Sequence, residues 1–283
     1  MSITLHLSGG LGNQLFQYSA AKALAIKYNA DLVVDLRYYW NSNGEPTKYH
    51  WITDFPLRVK LINQAHLAAS PHSLSSRIKT FLNNKIRKNY CNFPQLGYFD
   101  EFEKLQSNVI LSGLFQSHKF FEKSWDNVSQ HLDLLSSGYS PSPSTVENIS
   151  LKNYIGIHVR RGDYLENVGF LMMDSIGYYK KAIRLIRQTH EEPFLIFTDD
   201  PSWCMSQAVF DGIPIYESLI NKPYNDMFAL ASCKVIITAN STFSWWAAWF
   251  GYHHGSKILM PREWILGYSS KDIDLAPNDW IVV

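Results

Sequence analysis

The first 36 residues constrain the fold more than any other stretch of this chain. An apolar run, ITLHLS (3–8), leads into the glycine-rich SGGLGNQL (8–15). The Ala-rich FQYSAAKALAIKY follows, and then DLVVDL (31–36), which carries Asp35. Both apolar runs have strand length, and the segment between them has helix-forming composition. Strand, glycine turn, helix and strand make up the crossover that parallel strands require. The same outline opens a dinucleotide-binding fingerprint, in which glycines admit a pyrophosphate to the helix start and a later acid reads the ribose. That fingerprint needs a third small residue for close helix–strand packing. Gly10-Leu11-Gly12-Asn13-Gln14-Leu15 has Leu15 there, with two amides where the pyrophosphate would sit. The expectation is a tight turn in which Gly10 and Gly12 permit close approach and Asn13 and Gln14 offer hydrogen bonds. The nucleotide is then held elsewhere in the chain.

The alternation continues to the end of the sequence. In the first half, strands are expected at 3–8, 31–36 and 109–115 and helices at 12–28 and 118–132, with an irregular polar region over 37–100. SSGYSPSPSTVENIS (136–150) is rich in Ser and Pro and reads as an interdomain linker, with a boundary near 150. In the second half, strands fit 153–160, 194–199, 213–217, 234–239, 257–261 and 280–283, and helices fit 176–190, 202–210, 224–232 and 242–251. Short apolar strands separated by helices imply parallel sheets covered on both faces. The predicted fold class is α/β, with two Rossmann-like domains, 1–150 and 151–283, facing across a cleft. Ligands of open parallel sheets bind beyond the carboxyl ends of the strands, so functional residues are sought there.

Three junctions in the second half fit that description. HVRRGDY follows the strand at 153–160. Positions two apart share a face of a strand, so His158 and Arg160 point together and Arg161 points away. An arginine at the carboxyl end of a buried strand, beside a glycine turn, is placed to grip phosphate oxygens, and Asp163 either orients it or caps the turn. FTDD closes the next strand. Asp199 and Asp200 read either as hydrogen-bond acceptors for a ribose or a base, or as a helix cap ahead of Pro201. In TANSTFSWWAAWFG, Asn240, Ser241 and Thr242 open a helix whose free N–H groups suit an anion.

Composition narrows the function classes. A net charge of +1 gives no support for a nucleic-acid-coating surface. Aromatic residues make up 14% of the chain, which fits either large cores or sugar-stacking surfaces. Three dispersed cysteines provide neither a disulfide framework nor zinc spacing, as in proteins of reducing compartments. Asp272-Ile273-Asp274 lies in a polar tail and not after an apolar strand, so no metal site is expected. MSITLHLSGG lacks the basic start of a signal peptide, and the longest apolar tract, TFSWWAAWF, is too short to span a bilayer. The expected location is the cytoplasm, with peripheral contact to the inner face of the membrane left open.

SGGLGNQLFQYSAAKALA, HVRRGDY, FTDD and ANSTFSWWAAW, in this order, resemble the GDP-fucose-dependent alpha-1,2-fucosyltransferases, and LFQSHKFF (114–121) is similar to another segment of that family. The likeness spans both halves but not 40–95. It implies a GT-B type fold with an acceptor-side N-terminal domain and a C-terminal domain that binds GDP-fucose. It also implies an inverting transfer of fucose to the 2-hydroxyl of a terminal galactoside, without a metal ion or other cofactor, and of the bacterial type, which has no N-terminal anchor. Arg160 would hold the diphosphate, His158 would approach the guanosine, and Asp199 or Asp200 the base or ribose. Ser241 and Thr242, with Asn240, would meet the phosphates. Gly10, Gly12 and Gln14, as a wall of the transfer site, are candidates to bind GDP-fucose, and Asn13 joins Arg160 and Asp163 as a candidate catalytic residue. Trp40, Tyr49, Trp51 and Gln116 are candidates for the acceptor, the rings as a stacking platform or as core. Candidates for the base are Asp163, Glu166, His118, Asp35, Asp100 or the leaving diphosphate itself. Two other classes remain in view at this point: a nicotinamide-dependent oxidoreductase built on residues 3–35, and a non-catalytic glycan-binding protein.

Overall fold

The structure is a computed structural model that describes residues 1–41, 46–63, 89–141, 150–165, 169, 171–217 and 222–283. The chain divides into two compact units, Met1–Leu132 and Asp133–Val283.

The first unit is built on β1 (Ser2–His6), β2 (Asp31–Asp35), β3 (Lys60–Ile62), β4 (Tyr90–Phe93) and β5 (Ile110–Gly113), in the order β3-β2-β1-β5-β4. Every pairing is parallel, and β1 runs in register with β2 from Ser2↔Asp31 to His6↔Asp35. The expected crossover is α1 (Leu11–Lys27), which starts at Gly10 and buries Leu15, Phe16, Tyr18 and its run of alanines. The chain leaves β1 for β2 and β3 on one side and returns by β4 and β5 on the other. The order therefore reverses between β1 and β5, and a crevice opens at their carboxyl ends.

The helix expected over 118–132 is broken into 3-10 turns at His118–Phe120 and Glu122–Ser124 and one short helix, α2 (Trp125–Ser129). The apolar spacing in this stretch is real, but the rings use it without a continuous helix. Ser117 accepts a hydrogen bond from the Lys119 N–H and starts the first turn, while Phe120 packs edge-on to Phe99, Phe102 and Phe115.

The second unit contains β6 (Ile155–Val159), β7 (Phe194–Thr198), β8 (Val235–Ile237), β9 (Lys257–Met260) and β12 (Ile281–Val282), parallel throughout in the order β12-β9-β8-β6-β7. β10 (Glu263–Ile265) and β11 (Tyr268–Ser269) form a separate antiparallel pair. The helices are α3 (Tyr178–Ile186), α4 (Pro201–Ser206), α5 (Pro223–Ala231) and α6 (Thr242–His253). All five residues of β6 are buried, which is why IGIHV reads as an unbroken apolar run and not an alternating one. Trp245 and Trp246 are fully buried on α6, and Trp245 stacks on Trp249 at 5.2 Å between ring centroids. In this helix the aromatic content is core.

Two expectations for this half are modified. No strand forms over 213–217. Ile215 alone bridges to Ile196, because the segment leaves a left-handed Gly212 and then meets Pro214, which has no N–H for a ladder. The division between units falls at Leu132/Asp133 and not near 150. Asp133 holds His254 Nε2 at 2.8 Å and Tyr139 donates to Asn225 Oδ1 at 2.7 Å, so the start of the expected linker packs within the second unit. Residues 142–149 of that linker lie outside the described residues.

Candidate active site

In the second sheet the strand order reverses at β6, which has β7 on one side and β8 on the other. The three sequence junctions therefore emerge side by side. Arg160 follows β6, Asp199 follows β7, and 240–242 follows β8 just before α6. Arg160 Nη1 meets Asp199 Oδ2 at 2.9 Å, and the other oxygen of Asp199 accepts the Arg161 N–H at 2.9 Å. One carboxylate thus fixes both the backbone turn and the guanidinium. Gly162 makes room for it: a Cβ there would stand 2.5 Å from Asp199 Oδ2. The side chain of Arg160 is 33% exposed, and Asp199 orients its fork.

His158 lies beneath this pair. Burial first, and then the nearby Arg160 charge, push its pKa down to about 3, so the imidazole is neutral across the physiological range. Its Nδ1 is buried without a hydrogen-bond partner among the described residues, and its ring packs on Phe243 at 5.3 Å. Strand alternation places His158 and Arg160 on one side, as the sequence implies.

Arg161 and Asp200 are tied into the structure. Arg161 bonds Asp200 at 3.2 Å and Asp174 at 3.3 Å and lies over the Trp203 ring at 3.8 Å. Asp200 also caps α4, accepting from the Trp203 N–H at 3.0 Å ahead of Pro201. The two aspartates of FTDD have therefore separated. Asp200 caps, and Asp199 stands in the site, where its described partners are Arg160 and Arg161. Asn240 is also structural on its nitrogen side: Nδ2 donates to the Leu171 and Trp264 carbonyls at 3.0 and 2.9 Å. Ser241 and Thr242 do occupy the helix start, where the first N–H groups of α6 have no intrahelical acceptor. The side chain of Asp163 and all of Glu166 lie outside the described residues.

Sequence reasoning singled out neither Tyr164 nor Phe243, and Gly162 only as a turn. Tyr164 donates to the Asn240 carbonyl at 2.8 Å and sets its ring 5.9 Å from the Arg160 guanidinium, bracing one junction against the other. Phe243 covers His158, and Gly162 admits Asp199. Only the glycine, directly after the paired arginines, carried a signal in the sequence.

The first unit has a crevice of the same kind with different chemistry. Gly9 turns at φ +78 and α1 begins at once. At the reversal between β1 and β5, Gln116 Nε2 donates to Asn13 Oδ1 at 3.0 Å, so two uncharged amides meet there. Gln14, expected to face a ligand, is fully buried. Its Nε2 donates to the Gly9 carbonyl at 2.9 Å and the Tyr49 carbonyl at 3.4 Å, and its Oε1 accepts from the Ile52 N–H at 2.9 Å. Gly10 has open space where a Cβ would point, whereas Gly12 is buried in α1. Tyr49 is 46% exposed and packs on Trp51 at 4.0 Å between ring centroids; Trp40 is half-buried.

Asp35 is engaged by Arg37 and His6. Burial would raise its pKa, but hydrogen bonds and charge from Arg37, with His6 behind, hold it below the usual carboxylate range. Arg37 meets it at 2.5 Å and His6 at 3.5 Å. Of the other candidate bases, His118 pairs with Glu122 at 3.2 Å, and Asp100 opens a 3-10 turn. Among the described residues no helix is long and apolar enough to cross a membrane.

A parallel sheet with an oriented arginine and a helix start side by side at its switch point places the protein in the open α/β class. Comparison with known proteins gives the family: residues 2–281 match the glycosyl transferase family 11 profile, and the chain belongs to that family. It is 29% identical to the O-antigen biosynthesis glycosyltransferase WbnK of Escherichia coli, over 97% of this chain and 98% of that one. It is 28% identical to an alpha-1,2-colitosyltransferase of Escherichia coli, over 99% of both chains. A galactoside alpha-(1,2)-fucosyltransferase 1 of Rattus norvegicus shares 30% identity over 44% of this chain and 34% of its own. The protein is a glycosyltransferase, and the oxidoreductase and non-catalytic readings find no support.

Proposed function

We propose that the chain transfers L-fucose from GDP-fucose to the 2-hydroxyl of a terminal galactoside, with inversion at the anomeric carbon. The observation that carries this reading is the Arg160–Asp199 pair at the carboxyl end of β6, beside the start of α6. The acceptor hydroxyl oxygen bonds to the sugar C1 as the bond from C1 to the diphosphate oxygen breaks, and the electron pair leaves with GDP. Charge grows on that oxygen, where a guanidinium already oriented by Asp199 stabilises it without further reorganisation. Ser241 and Thr242, at the α6 start, supply further donors to the phosphates. The neutral His158 offers one ring N–H to the nucleoside without adding charge to the site.

Asp163, three residues past Arg160, is assigned the proton of the acceptor hydroxyl. Asn13 is assigned a hydrogen bond to a sugar hydroxyl. The transfer needs no metal ion, so a chelator should leave the rate unchanged.

A thermal-shift series with GDP, UDP, NAD and NADP tests the donor. GDP alone should stabilise the protein, and a response only to NAD would overturn the reading. Mass spectrometry and linkage analysis of the product formed from GDP-fucose and a β-galactoside test the transfer. The likeness to an alpha-1,2-colitosyltransferase along nearly the whole chain favours one second reading, a 3-deoxy analogue of fucose as the sugar moved. Competition between GDP-fucose and GDP-colitose for one acceptor separates the two.

A further inference from the structure

The rings at 49–51 are held in an unusual way. Trp51 begins a 3-10 turn, Trp51–Asp54, that lies against the first turns of α1, and Tyr49 precedes it. One side chain that ties this segment to the glycine turn is Gln14. Gln14 is fully buried, and its three hydrogen bonds reach the Gly9 carbonyl on one side and the Tyr49 carbonyl and Ile52 N–H on the other. Ile52 is itself fully buried and anchors the turn in the core. The Tyr39 hydroxyl donates to the same Gly9 carbonyl at 2.9 Å, so the glycine turn is held from two directions.

The backbone at 49–52 is thus rigidly placed, yet the ring it presents is not core. Tyr49 is 46% exposed, with its hydroxyl directed to Asp54 Oδ1 at 3.0 Å and its ring against Trp51 and His50. An aromatic pair on a fixed backbone, next to the crevice at the β1/β5 reversal, suits a ligand with one apolar face and a polar rim. A galactopyranose is such a ligand: its axial O4 leaves the C–H groups of C3, C4 and C5 together on one face, which aromatic rings cover.

We propose that Tyr49 and Trp51 form the surface on which the terminal galactoside of the acceptor stacks, and that Gln14 is the positioning residue that sets this surface relative to the glycine turn. The proposal rests on the galactoside reading above. A ring lost from a sugar-stacking surface weakens binding by about tenfold. Initial rates are measured at saturating GDP-fucose with a β-galactoside series, and GDP binding is followed by thermal shift.

Trp51→Ala and Tyr49→Ala should each raise the acceptor KM about tenfold and keep the GDP-induced shift, while Trp51→Phe should recover most of the loss. Gln14→Met, close in size but unable to bridge the three backbone groups, should raise acceptor KM more than it lowers kcat. An acceptor KM within twofold of the parental value in both ring variants overturns the platform. A Gln14→Met protein with parental acceptor KM but reduced kcat or GDP affinity overturns the positioning role. If the parental enzyme fails to use galactosides at all, the functional reading fails first. If it uses them and the ring variants do too at unchanged KM, only this inference fails. Tyr49→Ala keeps the test open should Trp51→Ala not fold, because Tyr49 is largely outside the core.

Discussion

The two units reverse strand order in the same manner, and each places a helix start at the reversal, but they fill the crevice with opposite chemistry. At β6/β8 the crevice holds an arginine oriented by an aspartate, a neutral histidine and the first turn of α6. At β1/β5 it holds a glycine turn and two hydrogen-bonded amides, Asn13 and Gln116. Topology fixes where a ligand binds, and side-chain charge decides which ligand it is. Asp35, at the end of β2, has its charge met by Arg37. On the proposed function, hydroxyl-rich sugars go to the amides and the diphosphate to the arginine.

The sharpest way to break this contrast is to remove the charge. Arg160→Ala should keep its melting temperature near the parental value and lose about 2.7–4 kcal/mol of transition-state stabilisation, read as a hundredfold or greater fall in kcat. Parental turnover in a folded Arg160→Ala protein would mean that the second crevice does not hold the leaving group. Gly162→Ala addresses the same pair without removing a charge. Its new Cβ would fall 2.5 Å from Asp199 Oδ2, so the carboxylate must shift and the guanidinium with it. A misplacement of that size costs about 10- to 100-fold in kcat/KM, with Arg160 still present. A rate within twofold of parental would show that the orientation by Asp199 is dispensable.

The first crevice should respond more weakly, because one neutral hydrogen bond is lost and no charge. Asn13→Ala is expected to reduce kcat/KM about tenfold, measured with both substrates varied. An unchanged value would return the glycine turn to a packing role. A loss as large as that of Arg160→Ala would erase the contrast from the other side.

Legibility in the sequence followed how far each signal depends on long-range packing. β2 and β6 were readable because DLVVD and IGIHV are apolar and bounded by turn residues. The strand junctions that carry Arg160 and Thr242 followed from those strands. Asn13 and Gln14 were not separable, since adjacent amides at a helix start look alike until burial turns one inward to Gly9 and Ile52 and leaves the other at Gln116. Asp199 and Asp200 posed the same problem; the cap went to the residue directly before Pro201. The helix expected over 118–132 failed because apolar spacing cannot distinguish a helix face from aromatic rings packed edge-on around 3-10 turns. Tyr164 left no trace in the sequence because its partner, the Asn240 carbonyl, is 76 residues away.

The smallest expected effect concerns the neutral histidine, and it follows from the sign of its shift. In the unfolded chain His158 titrates near the ordinary value of about 6.5, and in the folded protein near 3. Between these values the unfolded state binds a proton that the folded state refuses. The stability contributed by a neutral His158 is therefore complete above about pH 6.5 and is lost as pH falls toward 3. By pH 5 the loss is about 2 kcal/mol, from roughly 1.5 pH units at 1.36 kcal/mol each. Other groups titrate in the same range, so the diagnostic quantity is a difference between two proteins. The fall in melting temperature from pH 7.5 to pH 5.0 should be a few degrees larger for the parental chain than for His158→Gln, which has nothing to protonate there. Equal falls would mean that His158 takes up its proton in the folded state as readily as in the unfolded one. The second crevice would then carry two cations at low pH, and its affinity for GDP should rise as pH drops. If the imidazole stays neutral, the acid limb of the pH–rate profile belongs to a group other than His158, and His158→Gln should leave the position of that limb unchanged.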